Sequence, residues 1–448
     1  MENKLQNGTK KRIAFLCFSA LPYAESWGGT QRVHYMANTL CSEFDVTIFA
    51  PKSSDVKVNE DIERLYRTVF FEDNLSRKLF KANNSTLQIS NNARVQKKSI
   101  KSVIRNIAVS TMKMANRIIY NEPVYFKGFV ASAWIRRYGD EICQKIKKND
   151  ISALIISIPP WDLMSISFVK KVKRLGCKVI IDYRDPWNCW NNHKGIPLRK
   201  EKALAQLADM IFVTNENHGA KIAEDLKVDS HHIKVIMNGY DAERWNEVNI
   251  EDSMESDKLE IAFIGSIDFK DQTSFRDPRN FMTALESFED KGNIRFRVIG
   301  CRDENYIVSI KDRVPNFDMI KTVPQLESFR WMMRSDVLVN FHTTDDDSSK
   351  YLIAGKTFDY YRSGARILSI NGVQSYERVF VENNNAGYYS PNTVENILQT
   401  LRKIYNDWCD DKSNFRRKSD ANPKYSRQYQ NQKVLGVLKN ILSNHDTD

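Results

Sequence analysis

Residues 345–370, DDDSSKYLIAGKTFDYYRSGARILSI, run from an acidic, serine-containing loop into a glycine, a lysine and a short predicted helix. That helix stops at Gly364, and a strand begins at once. The pattern places a helix N-terminus at Gly355, the Lys356 ammonium and the Asp359 carboxylate at one end of a sheet. A nucleoside diphosphate fits such an end. Backbone N–H groups and a lysine meet the phosphates, and a carboxylate accepts from ribose hydroxyls.

Three further stretches carry candidate chemistry. In SWGGTQRV (26–33), Gly28 and Gly29 allow close backbone approach of a ligand at the start of a helix. The stretch is not GxGxxG, and a tight strand-to-helix turn accounts for it equally well. In IDYRDPWNCW (181–190), Asp182, Arg184, Asp185 and Trp187 follow a predicted strand. A carboxylate there can accept a proton or orient a sugar hydroxyl. The competing reading is an Arg–Asp pair locking a loop, with Trp187 as packing. Gly265 and Ser266 end another predicted strand, and FKDQTSFRDPRN (269–280) follows with Lys270, Arg276 and Arg279. Arginine suits bidentate phosphate contacts; the alternative is a solvated loop.

Other chemistries find little support. Asp345–Asp347 contain an Asp-x-Asp pattern that can bind a divalent metal in a different fold, but a solvated loop is the preferred reading, so no metal site is expected. Neither HExxH nor GxSxG occurs. His34 and His342 lie near predicted ligand ends, and a lone histidine is more often structural.

The elements that must position these residues are short apolar strands alternating with amphipathic helices. Strands are predicted at 12–19, 45–51, 153–160, 177–185, 210–215 and 233–239, with a helix at 30–40 and others near 162–175, 199–208 and 216–226. Residues 240–258 are polar and acidic and read as a linker. The alternation restarts at 259–266 and continues to a helix near 393–408. Continuous apolar strands between helices imply parallel sheets covered on both faces. The predicted fold class is therefore α/β, with two doubly wound Rossmann-like domains facing a cleft at the carboxyl ends of their strands. The expected domains are 1–240, with a basic insertion at 75–139, and 258–405. Residues 406–448 form a helical segment expected to pack back on the first domain.

The chain has 448 residues, seven cysteines and a net charge of +11. No CxxC pair occurs, and Cys17, Cys177 and Cys301 sit in apolar runs, as buried free thiols of a reducing cytoplasm do. No apolar run approaches the ~20 residues needed to cross a bilayer, and the polar N-terminus lacks a signal-peptide pattern. Residues 75–139 hold thirteen Lys or Arg and one acid, Glu122, so this segment alone is +12. KKSIKSVIRNIAVSTMKMANRIIY (97–120) has a basic amphipathic pattern that suits an anionic membrane surface. A solvated helix pair is the plainer alternative, and nucleic acid is the least favoured partner.

Taken together, GGTQRV, IDYRDPW, ADMIFVTN, IKVIMNGYD, GSIDF and GKTFDYYRSGARIL resemble the retaining glycosyltransferases of family 4, which have the GT-B fold. The resemblance covers roughly 12–240 and 258–405. It implies a sugar-nucleotide donor on the second domain and an acceptor on the first. Gly28 and Gly29 would lie near the donor phosphates, and Asp359 matches the second motif glutamate, which binds the ribose. The first motif glutamate falls at Tyr351, a departure from the pattern. Lys350 or Lys356 would supply phosphate charge, one of Arg276 and Arg279 would complete a basic pair, and Asp185 resembles the acceptor-side polar group. The implied role is sugar transfer to a glycan or lipid-linked acceptor in surface polysaccharide biosynthesis, at the inner face of the membrane. It needs no cofactor besides the nucleotide sugar. The alternatives are a sugar-nucleotide epimerase of the same fold and an inactive nucleotide-sugar-binding protein.

Overall fold

The computed structural model describes residues 10–24, 27–52, 57, 62–73, 127–187, 195–248, 256–265, 267, 277–300, 313–341, 346–417 and 421–443. The chain divides into two compact units, residues 1–236 with 431–448, and residues 237–430.

The first unit holds a sheet of seven described strands: β1 (Arg12–Leu16), β2 (Asp45–Lys52), β3 (Arg67–Glu72), β4 (Ile151–Ile158), β5 (Lys178–Tyr183), β6 (Met210–Val213) and β7 (Ile233–Val235). Their order is β3-β2-β1-β4-β5-β6-β7, and every pairing is parallel. Alternate residues of each strand feed opposite faces. Ala14 and Leu16 face a core shared with the helices Lys127–Lys148, Ile166–Arg174 and Glu216–Leu226. Ile13 and Phe15 face a core shared with the helix Trp27–Leu40 and the C-terminal helix Arg427–Ser443. The order reverses direction between β1 and β4, the switch point where open α/β sheets present a ligand crevice.

The second unit repeats the scheme with β8 (Leu259–Ile264), β9 (Ile294–Ile299), β10 (Phe317–Ile320), β11 (Val337–Phe341), β12 (Arg366–Asn371) and β13 (Gly387–Pro391). The order is β10-β9-β8-β11-β12-β13, again all parallel. Its switch point lies between β8 and β11. The helices Arg279–Ser287 and Val394–Asp410 cover one face, and Gln325–Arg334, Gly355–Ser363 and Tyr376–Asn383 the other. This is the predicted pair of doubly wound domains.

Their boundaries differ from the expected ones. Residues 240–248 are no linker: Tyr240 and Trp245 are buried in the core of the second unit. Nor do residues 406–430 return to the first domain. Trp408, Phe415 and Tyr425 pack into the second unit, and only the helix beyond residue 430 joins the first, through Val434, Leu438 and Leu442. Both departures have one cause, a few large aromatics within otherwise polar stretches, which mean polarity conceals. The membrane-surface expectation for 75–139 falls mostly outside the described residues. Its last part opens the helix Lys127–Lys148, where Val130, Ala131, Trp134 and Ile135 are core residues while Arg136 and Arg137 stay exposed. Among the described residues no helix is long and apolar enough to cross a membrane.

Candidate functional site

In the second unit the candidate site grows from the C-terminal ends of β8 and β11. Gly265 follows β8 directly at φ 135°, with its N–H donating to Ile299 O at 2.8 Å. A side chain is strained there, and a Cβ would stand 3.8 Å from Lys356 Nζ. Lys356, in the first turn of the helix Gly355–Ser363, reaches Ile264 O at 3.3 Å and lies 3.6 Å over the Phe263 ring. Tyr360, one turn on, accepts from Ile264 N at 3.0 Å. Lys356, from the first turn of the nine-residue helix that Gly355 opens, therefore carries its ammonium to Gly265 at the end of β8. Gly364, at φ 82°, ends that helix in the left-handed conformation and lets β12 follow directly.

Asp359 lies within the same helix, 9% exposed. Its Oδ1 accepts from Trp245 Nε1 at 3.0 Å, and burial pushes its acid up to about 6 despite the opposing pull of Arg427. A second carboxylate sits behind the helix N-terminus. Glu377 is buried, with Asn340 Nδ2 donating to Oε1 at 2.8 Å and Ala354 N donating to Oε2 at 3.5 Å. The same Asn340 amide donates to Thr357 Oγ1 at 2.9 Å. These contacts fix the turn that carries Lys356, and burial raises the Glu377 acid.

The remaining sequence candidates of this unit scatter. Arg279 opens the helix Arg279–Ser287, held by Asp277, whose Oδ1 accepts from its Nε at 2.8 Å. Lys350 and Tyr351 follow the short helix Asp346–Ser349 and are half-buried. Ser266, Lys270, Arg276, His342 and Asp345 lie outside the described residues.

In the first unit, the helix begins at Trp27, so Gly28 and Gly29 belong to its first turn rather than to a loop before it. Asp182, at the end of β5, is fully buried. Arg32 grips it with Nη2 at 2.7 Å and Nε at 2.9 Å from Oδ1, and Ser157 Oγ donates to Oδ2 at 3.0 Å. Arg184 donates to three backbone carbonyls, those of Gly29, Pro159 and Ile158, and so ties the ends of β4 and β5 to the first helix. That geometry is a loop lock, although the carboxylate's partner is Arg32, which sequence reasoning did not single out. Trp187 is 1% exposed and stacks on Trp161 with centroids 5.4 Å apart, which is packing rather than an acceptor-facing surface.

Asp185 stands apart. Its carboxylate accepts no hydrogen bond from the described residues, and burial pushes its acid up while Arg184 and Arg32 pull it down. It is the carboxylate at this strand end still open to a ligand proton or hydroxyl.

Sequence reasoning missed Arg32, Trp245, Asn340 and Glu377. Two carried local signals. Ser375 caps the helix Tyr376–Asn383 by accepting from Arg378 N at 3.3 Å. Asp241 caps the short helix Ala242–Asn246 by accepting from Arg244 N at 3.2 Å. An N-cap residue ahead of an acidic first turn marks both helix starts.

No family model matches the chain, and no curated protein matches it significantly. Solved structures do. HepE of Anabaena, in complex with UDP, superposes with a TM-score of 0.61 at 10% identity, covering 96% of this chain and 100% of that one. A Listeria monocytogenes protein described as a UDP-N-acetylglucosamine 2-epimerase gives 0.54 at 11% identity, with 98% of each chain covered. A glycosyltransferase from Rickettsia africae gives 0.54 at 12% identity, covering 97% and 99%. At these identities the likeness is one of fold: two Rossmann-like domains of the GT-B type.

Proposed function

We propose that this protein is a glycosyltransferase that moves a sugar from a nucleoside diphosphate to a glycan or lipid-linked acceptor with retention, in the synthesis of a surface polysaccharide. The observation that carries the reading is the Lys356 ammonium, brought from the first turn of the helix Gly355–Ser363 to Gly265 at the switch point of the second sheet. An anion placed there meets backbone N–H groups and a fixed ammonium at once. Because the HepE complex was obtained with UDP, a uridine nucleotide is the donor to try first.

In this reading the second unit holds the donor, with the diphosphate at Lys356, the ribose at Asp359 and the sugar near Lys350 and Tyr351. Ser266, Arg276 and Arg279 are further donor contacts of the second unit, and Gly28 and Gly29 are the first unit's donor-binding candidates. The first unit holds the acceptor at Asp185. The acceptor oxygen attacks the anomeric carbon on the face the leaving group occupies. The bond to the diphosphate oxygen breaks, and that oxygen takes the acceptor proton. Lys356 and the helix N-terminus stabilise the charge that develops on the diphosphate, so the scheme invokes no metal ion. The basic composition of 75–139 supports an acceptor presented at an anionic membrane face.

The epimerase reading keeps a specific support: Asp185 is an open carboxylate with a raised acid, suited to proton transfer. Incubating the purified chain with a panel of nucleotide sugars, with and without an acceptor extract, separates the readings. Transfer that requires the acceptor supports the transferase. A C2-epimerised nucleotide sugar formed without acceptor would replace it with the epimerase. Binding without either product leaves an inactive nucleotide-sugar binder, and no binding of any nucleotide sugar refutes all three.

A further inference from the structure

Trp245 belongs to none of the motifs and lies in the stretch whose composition suggests a linker. In the structure residues 240–248 fold onto the helix Gly355–Ser363. Asp241 caps a helix of five residues, Ala242–Asn246, and seats Trp245 at 4% exposure. The indole stacks on Phe329 with centroids 4.2 Å apart and 13° between planes. Arg362 lies over both Tyr240 and Trp245, at 6.0 and 5.8 Å. The indole therefore has little freedom, and its N–H points at Asp359 Oδ1, 3.0 Å away.

The other carboxylate oxygen, Oδ2, accepts no hydrogen bond from the described residues, although the side chain is nearly buried. A carboxylate can accept at both oxygens. With Oδ1 engaged by a rigid donor, rotation about its last bond is stopped, and Oδ2 presents its lone pairs in one direction. We infer that Trp245 is a positioning residue that aims Asp359 Oδ2 at the ribose hydroxyls of the donor nucleotide. This rests on the donor assignment above and adds a residue outside the motif that resembles the family. The indole N–H also favours the ionised carboxylate against burial, as do the Arg427 charge and not Asp241, which opposes it.

The test is calorimetric titration of the full chain with UDP and with 2′,3′-dideoxy-UDP. The wild-type chain is expected to prefer UDP. Trp245→Phe keeps the stacked ring and removes the N–H. It is expected to weaken UDP about tenfold, the loss of one hydrogen bond to a charged group, and to leave the dideoxy nucleotide unchanged. Trp245→His, which retains a ring N–H, should recover part of the preference. Asp359→Asn should lose it, and the double variant should be no worse than the poorer single one. Equal weakening of both nucleotides by Trp245→Phe, or an unchanged preference for UDP, overturns the inference. A wild-type chain that binds both nucleotides equally removes the ribose contact and this inference with it, while the diphosphate site stands. If neither nucleotide binds, the donor reading itself has failed.

Discussion

The two units build the same strand-end geometry and use charge there in opposite ways. In the first, charge is cancelled internally: Arg32 closes on Asp182, and Arg184 is taken up by three carbonyls. Among the described residues, Asp185 accepts no hydrogen bond. In the second, the carboxylates are held by neutral donors, Trp245 for Asp359 and Asn340 for Glu377, while Lys356 rests on a carbonyl and an aromatic ring. One edge is locked by its own ion pair, and at the other the hydrogen bonds to the two carboxylates come, among the described residues, from neutral groups.

That contrast breaks first at Asp182. Asp182→Ala leaves a guanidinium of 7% side-chain exposure without its carboxylate. It should cost about 3–5 kcal/mol, read as a fall in the denaturant midpoint of the first unit. The double change Arg32→Met with Asp182→Leu should recover most of the loss. In the second unit Lys356→Met should leave the unfolding midpoint nearly unchanged and weaken a nucleoside diphosphate by about 1.5–3 kcal/mol. Titration with the diphosphate and with the uncharged nucleoside checks it, since only the former should respond.

His218 of the first unit and Asp359 of the second should also answer acid in opposite senses. His218 is buried, with neither ring nitrogen hydrogen-bonded, and burial pushes it down to about 3. Its folded value lies below the unfolded one, so its neutral form supports the fold above about pH 6.5. That support is lost as the pH falls. Asp359 has its folded value raised to about 6, so it favours the fold in acid and loses that contribution as pH rises from about 4 to 6. His218→Phe should therefore gain about 2 kcal/mol on going from pH 7 to pH 5, relative to the wild-type chain. Asp359→Asn should lose about 1 kcal/mol over the same interval. Thermal unfolding of each variant against the wild-type chain at both pH values tests the signs.

Periodicity carried the fold a long way. Runs such as ALIISIPP and CKVIIDYRD are too apolar for a half-exposed strand, so a parallel sheet covered on both faces follows from local composition. The placing of Gly265, Lys356 and Asp359 was legible for the same reason: a strand end, a helix start and a glycine stop lie within short, well-marked stretches. β3 was not recognised, because RTVFFE is short and half-exposed and borders the basic segment. The helix Tyr376–Asn383 and β13 were also missed, and with them Glu377.

The sequence by itself determined the two doubly wound domains and the residues at their strand ends, because strand and helix periods and glycine stops are local properties. Tertiary structure alone decided what those residues do to one another. Arg32 and Asp182 are 150 positions apart, and Trp245 and Asp359 are 114 apart. No local pattern relates them. Whether a carboxylate is neutralised by an arginine or aimed by an indole depends on which distant element packs beside it, and only the folded core settles that.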